Sequence, residues 1–131
     1  MFRDANTFSS FSIDDVDAAQ AFYGDTLGLD VEKTDMGFLE LKLRDGSHVN
    51  VYTKPNHQPA TFTVLNFIVP SIDDAVDELN RKGVTMEQYD FGPVKTDARG
   101  IARDEGPPIA WFKDPAGNVV SVIETMAGFT E

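Results

Sequence analysis

The sequence predicts an α+β fold in which two strand–helix–strand–strand–strand modules form a curved, mixed sheet. A hydrophobic pattern typical of a strand running into a helix occurs twice, at residues 11–19 and 67–75. Each copy then reaches a glycine, a short apolar segment and a turn that leads into an alternating strand. A duplicated unit in 131 residues predicts two similar halves that bury each other's faces, with a site in the space between them.

The chain is short enough to be a single domain, residues 1–131. We assign residues 6–53 to the first module, 54–62 to a linker and 63–125 to the second module. Prolines at 55 and 59 mark the linker. The second module contains a long loop, 92–108, which is rich in glycine and proline and has no counterpart in the first module. A loop of this length is either a lid over a site or a mobile segment.

Both predicted helices carry start and stop signals. Asp15 and Ser71 are the predicted N-caps, and each precedes apolar residues at helical spacing. Gly28 and Gly83 can end the two helices in a left-handed conformation. A short apolar strand is expected around each of these glycines, over residues 27–31 and 82–86.

The remaining strands alternate between two faces. In each strand one face is apolar and the other is mixed. We expect the apolar face to pack on the helices and the mixed face to line a concavity. The strands assigned in this way are residues 7–13, 38–43, 48–52, 64–69 and 119–123.

The composition disfavours several partners and kinds of site. The formal net charge is −11, which disfavours nucleic acid as a partner and would attract a cationic small molecule. There is no cysteine, which removes disulfides and thiolate metal sites and fits a cytoplasmic protein. No apolar run is long enough to span a membrane.

The mixed faces supply candidate ligand-binding residues. A cavity that is apolar with a few convergent polar groups is the usual small-molecule site. The alternative is that the polar groups only bond one another in a closed interior. The candidates, polar and aromatic, are Phe8, Ser10, Ser12, Phe38, Asn50, Tyr52, Asn66, Trp111 and Ser121.

Glu40 and His48 are the candidate catalytic residues. Both fall on the mixed face of neighbouring strands, where a carboxylate beside an imidazole builds a general base. The alternative is that His48 is simply solvated beside the turn that precedes it. His57 lies in the linker and is expected to be exposed. No nucleophile elbow or phosphate-binding loop is present.

Two motifs resemble the vicinal oxygen chelate superfamily, which contains glyoxalase I, extradiol dioxygenases, fosfomycin-resistance transferases and bleomycin-binding proteins. The motifs are FYGDTLGL at residues 22–29 and WFKDPAGN at 111–118. The resemblance covers about residues 6–125, and it implies paired modules and a homodimer. It also implies a divalent metal held by side chains from the first and last strands of each module.

The four metal-ligand positions of that superfamily fall on poor ligands in this sequence. They are Phe8, Asn50, Val64 and Ser121. Phenylalanine and valine cannot bind a metal, and asparagine and serine are weak neutral donors. Moving the assignment by one or two residues brings in His48 but never three ligands together. We therefore expect no metal and no cofactor.

Three functions follow as hypotheses. The first is metal-free binding of a small organic molecule, with a cationic aromatic molecule as the more specific form. The second is an atypical lyase, isomerase or dioxygenase-type enzyme, with Glu40 and His48 as its acid–base pair in the lyase or isomerase form. The third is a non-catalytic regulatory or interaction module whose cavity is filled. A ferredoxin-like sheet is the alternative fold, but it explains the two motifs less well.

Overall fold

The computed structural model describes residues 1–104 and 106–125 of the chain. The chain forms two compact units that divide between Pro59 and Ala60. Each unit contains a mixed four-stranded sheet and one helical segment, so the predicted α+β class is confirmed. No helix in the described residues is long and apolar enough to cross a membrane.

The first unit contains one sheet of four strands in the order β1-β4-β3-β2. Strands β1 and β4 pair in parallel, and the other two pairs are antiparallel. A 3₁₀ turn, Phe2–Asp4, precedes the sheet. The strands are β1 (Ser9–Ile13), β2 (Asp30–Lys33), β3 (Leu39–Lys42) and β4 (His48–Thr53), and helix α1 (Val16–Gln20) follows β1.

Helix α1 begins as predicted and continues in a way that the sequence did not indicate. The Asp15 carboxylate accepts hydrogen bonds from the N–H groups of Asp17 and Ala18, both at 3.1 Å. After Gln20 the chain widens into a π-helix, Ala21–Thr26, in which the N–H of Leu27 donates to the carbonyl of Phe22. Gly28 then takes a φ of 77°, so the predicted left-handed termination is present.

The second unit repeats the strand order of the first, as β5-β10-β9-β8. Strands β5 and β10 pair in parallel, whereas β10–β9 and β9–β8 are antiparallel. Along the chain, a short hairpin formed by β6 and β7 lies between α2 and β8. The elements are β5 (Thr63–Val69), α2 (Ile72–Arg81), β6 (Asp90–Phe91), β7 (Val94–Lys95), β8 (Ile101–Ala102), β9 (Ile109–Lys113) and β10 (Val119–Glu124).

The strand expected at residues 82–86 is not formed, so that prediction was wrong. Helix α2 ends at Arg81 and Gly83 has a φ of 86°, but the residues that follow have no strand partner. The sheet position that β2 fills in the first unit is filled here by β8, which comes from the segment predicted as a long loop. Strand β8 pairs with β9 through Ile101 and Ala102, and the segment after α2 reaches β9 through the N–H of Glu87, which donates to the carbonyl of Trp111 at 2.8 Å.

Each sheet has a helix-covered face and a helix-free face. In the first unit Phe11 of β1 contacts the ring of Tyr23, at 6.0 Å between centroids, and both are buried. In the second unit, helix α2 contacts β9 and β10. The buried residues of these two strands include Phe112 and Val120, and α2 also has buried residues. Side chains that alternate with these rows lie on the helix-free faces, so the predicted division into an apolar and a mixed face is present within each unit.

The turn between β9 and β10 is organised by a buried carboxylate. Asp114 is 4% exposed, and its Oδ1 accepts hydrogen bonds from the N–H groups of Ala116 and Asn118, at 3.0 and 2.8 Å. The Asn118 side chain donates to the other carboxylate oxygen at 3.2 Å and accepts from the N–H of Ala60 at 3.1 Å. Charge-assisted bonds of this kind are stronger than neutral ones, which gives the motif at 111–118 a structural role.

Part of the predicted loop, residues 97–103, is bound to α2 by ion pairs, and we call this segment the strap. Arg99 donates to the carboxylates of Asp73, at 2.6 Å, and Asp77, and Arg103 donates to Asp73 at 2.8 Å. Burial alone would raise the pKa of Asp97, but the N–H groups of Ile101 and Arg99 and the nearby Arg103 outweigh it and lower that pKa. The strap is therefore bound to its unit at several points, and Glu105 of the predicted loop lies outside the described residues.

We predict that Gly100→Ala destabilises the protein more than Gly83→Ala does. Both glycines have φ near 85°, but a Cβ at Gly100 would lie 2.8 Å from Met86 Cβ and 2.9 Å from the Glu87 carbonyl oxygen. A Cβ at Gly83 would meet nothing within 4 Å. Both variants share the left-handed strain, and the overlap at Gly100 adds about 1–3 kcal/mol. Urea unfolding measures the difference, and equal destabilisation would show that the strap does not dock as described.

Candidate functional site

The helix-free face of the first unit carries a polar row across three strands. Ser10 on β1 lies opposite Asn50 on β4, and Asn50 lies opposite Glu40 on β3. Asn50 and Glu40 are half-buried and Ser10 is exposed. The strand register therefore aligns three of the predicted site residues in one row.

Glu40 and His48 lie on adjacent antiparallel strands, and their side chains are in contact. Glu40 Oε1 is 3.4 Å from His48 Nδ1, and their side chains are 27% and 45% exposed. Lys42, opposite His48, contacts Glu32 at 2.6 Å. A hydrogen bond and attraction to Glu32 raise the pKa of Lys42. The imidazole thus has one carboxylate beside it, and the neighbouring ammonium is paired elsewhere.

Ser12 and His57 form a pair that the sequence analysis missed. Ser12 Oγ and His57 Nδ1 are hydrogen-bonded at 2.7 Å, although 45 positions separate the two residues. His57 is half-buried, so its expected exposure was wrong. The linker folds back onto β1, where the N–H of Lys54 donates to the carbonyl of Ile13 at 3.0 Å, and this brings His57 to Ser12.

The helix-free face of the second unit carries a different row. Ser121 on β10 lies opposite Asn66 on β5 and opposite Trp111 on β9. Ser121 is fully buried, and its hydroxyl donates a hydrogen bond to Asn66 Oδ1. Asn66 is exposed and Trp111 is half-buried. Three more predicted site residues are therefore neighbours.

An aromatic stack extends from this row. The ring of Tyr89 packs edge-on against Trp111, with centroids 5.3 Å apart, and Phe91 packs on Tyr89 at 5.7 Å. Phe91 is 64% exposed, at the end of the stack. Burial, with a smaller effect from Glu87, raises the pKa of Tyr89, so the phenol stays protonated at neutral pH. Lys113 lies 3.6 Å from Glu87 and pairs with it.

The other three predicted site residues are less well placed. Phe8 is 67% exposed and precedes β1. Tyr52 lies on β4 opposite Ser12, and Phe38 precedes β3; both are half-buried. None of the three has a described contact with the rows above.

The metal-ligand positions implied by the family resemblance do not fit a divalent ion. Phe8 and Val64 have no donor atom, and the hydroxyl of Ser121 is bonded to Asn66. Asn50 supplies only a neutral amide. Across residues 1–104 and 106–125, no three His, Asp or Glu side chains are grouped so that they could hold a metal ion.

A groove of about 490 Å³ lies beside the π-helix in the first unit. Its acidic lining residues are Asp17, Asp25 and Asp30, and Asp17 pairs with Lys33 at 3.6 Å. None of the predicted site residues lines it. The groove therefore adds an acidic surface outside the helix-free faces.

Comparison with known proteins gives one family match and many structural matches. Residues 7–41 match the family model described as bleomycin resistance protein-like N-terminal. No curated protein sequence matches the chain. Three of the similar structures are 22% identical or less to this chain, so they show its fold alone.

Three solved structures illustrate the likeness. Lactoylglutathione lyase from Agrobacterium tumefaciens is 22% identical with a TM-score of 0.67, over 97% of this chain and 98% of that one. The fosfomycin resistance protein FosX from Listeria monocytogenes is 13% identical with a TM-score of 0.68, over 95% of each chain. TnmS3, an antibiotic binding protein from Streptomyces sp. CB03234, is 20% identical with a TM-score of 0.64, over 94% and 98%. The chain thus has the fold of the glyoxalase and bleomycin-resistance proteins, and the family match over residues 7–41 agrees with the resemblance of the motif at 22–29.

Proposed function

We propose that this protein binds a small organic molecule reversibly against the helix-free face of its second unit, without a bound metal ion. The observation that carries the proposal is the stack of Trp111, Tyr89 and Phe91 beside the polar row of Asn66 and Ser121. Aromatic faces with a few placed polar groups are typical of small-molecule sites. TnmS3, whose fold this chain shares, is an antibiotic binding protein.

The absence of metal chemistry is part of this proposal. The donor set at the four expected positions contains two apolar side chains, one amide and one engaged hydroxyl. Such a set has no anionic or imidazole ligand, which divalent metals require for tight binding. The net charge of −11 attracts a cation from a distance, and this supports a ligand that carries a positive charge.

A homodimer also belongs to the proposal. Strands β1 and β5 each lie at the end of their sheet, and end strands can pair with a second chain. Phe8 before β1 and Phe62 before β5 are 67% and 69% exposed. Sedimentation velocity measures the assembly directly, and a monomer at all concentrations would contradict it.

We expect Phe91→Ala to weaken ligand binding by about three- to tenfold, because a ring contact contributes about 0.5–1.5 kcal/mol. The compound is one that raises the melting temperature in a screen made with EDTA present, so that no metal contributes. The control is Phe2→Ala, which removes an exposed ring from the 3₁₀ turn of the first unit, away from the stack and from the strands proposed to pair in the dimer. Isothermal titration measures both affinities.

Three results would contradict the proposal. They are stoichiometric metal in the purified protein, a screen that finds stabilising compounds only when EDTA is left out, or equal effects of the two phenylalanine variants. The first two would move the assignment to a metal-dependent enzyme. The third would move the ligand away from the stack.

A metal-independent acid–base enzyme is the second candidate, and the Glu40–His48 contact favours it. The carboxylate can fix the imidazole tautomer, and the imidazole can remove a proton from carbon beside a carbonyl group. We expect His48→Asn to abolish such a reaction without loss of folding, since His48 is exposed.

Proton exchange gives a direct test of that enzyme. Hydroxyacetone in D₂O is the probe, and the measurement is deuterium incorporation followed by NMR. His57→Asn is the control, because His57 belongs to the separate contact with Ser12. Incorporation at the rate without protein, or equal loss in the two variants, would rule out Glu40 and His48 as the acid–base pair.

A further inference from the structure

The hydrogen bond between Ser121 and Asn66 fixes the direction of the Asn66 amide. Ser121 is fully buried, and a hydroxyl has a single O–H to donate. Within the described part of the chain its partner is Asn66 Oδ1. Turning the amide over would leave the buried O–H without an acceptor, which is costly. The amide oxygen therefore stays on Ser121, and the amino group stays free of that bond.

The Asn66 amino group, which does not bond to Ser121, presents two hydrogen-bond donors. The residue is exposed, and no described residue accepts a bond from its Nδ2. Trp111, in the same row, adds an indole N–H that can only donate. Glu87, whose N–H donates to the carbonyl of Trp111, pairs with Lys113 and so offers a reduced negative charge. Donors beside an aromatic stack match a ligand that carries acceptors.

The corresponding row of the first unit has the opposite chemistry. There Asn50 lies opposite Glu40, whose carboxylate is an acceptor with a negative charge. Asn50 and Asn66 each lie on a helix-free face, opposite a serine in a parallel strand pair, but their surroundings differ in charge. The two rows thus present different hydrogen-bonding groups.

We propose that the second unit selects a planar ring with a hydrogen-bond acceptor at its edge, a carbonyl oxygen or ring nitrogen, with Asn66 as the specificity residue and Ser121 as its positioning residue. This inference rests on the proposed function, since it names the ligand class for the same face. It places the acceptor against the Asn66 amino group and the ring against the aromatic stack. A cation without an acceptor gains only the ring contact.

N-methylacridone and N-methylacridinium test the inference as a matched pair. The two share a ring system, but one is neutral with a carbonyl and the other is a cation without an acceptor. Fluorescence anisotropy of each compound measures its binding, in about 0.3 M salt so that the overall charge is screened. We expect N-methylacridone to bind about tenfold more tightly, a difference of about 1.4 kcal/mol.

Variants assign that preference to Asn66. Asn66→Asp replaces the donors by a carboxylate, so we expect the preference to reverse in favour of the cation. Ser121→Ala releases the amide, and we expect the preference to fall to about threefold or less. Asn80→Asp makes the same change of charge at an exposed position of α2 in the second unit, and it should leave the preference unchanged. Thermal melting confirms that each variant is folded.

The outcomes separate the two proposals. Equal affinities for the pair, or the same response to Asn66→Asp and Asn80→Asp, would overturn the selection by Asn66 and leave ring binding intact. Failure of both compounds to bind would overturn this inference and count against the aromatic stack as a ligand surface. A preference that survives Ser121→Ala would contradict the positioning role of Ser121.

Discussion

Parallel pairing of the first and last strands of each unit is the constraint on which the rest of the structure depends. A parallel pair cannot be joined by a tight turn, so the chain must cross one face of the sheet, and in both units it does so with the helical segment. The helix buries the apolar side chains of that face. The opposite face stays free of helix, and the same pairing aligns Ser10 with Asn50 and Asn66 with Ser121.

The two helix-free faces have diverged in chemistry while keeping the same strand order. The first is charged, with Glu40 beside His48, and suits proton transfer. The second is aromatic, with Trp111 and Tyr89 in contact, and suits a planar ligand. Burial of Ser121 gives the second face a fixed amide orientation, whereas the first has no described contact of that kind. The repeated strand order thus carries two faces of different chemistry, one in each unit.

Local signals predicted most of the fold. The caps at Asp15 and Ser71, and the alternation that separates the two faces, depend on neighbouring residues, and both are present. The prediction of a strand at 82–86 was wrong. Strand β8 occupies the corresponding position in the sheet, and pairing between segments that are distant in sequence leaves no local pattern. The Ser12–His57 contact and the stack of Tyr89 on Trp111 were also missed, because each joins residues that are distant in sequence. Alternation placed the site residues on a face, but only the register showed which of them are neighbours.

The most direct test of a metal-free ligand surface on the second unit is the indole N–H resonance of Trp111. The chain has one tryptophan, so a ¹H–¹⁵N spectrum contains a single such signal. The measurement is a titration, in EDTA, with any compound that stabilises the protein. We predict that the indole signal moves with saturation while the imidazole signals of His48 stay fixed. An unmoved indole signal with shifted His48 signals, or a shift that requires added metal, would contradict the account.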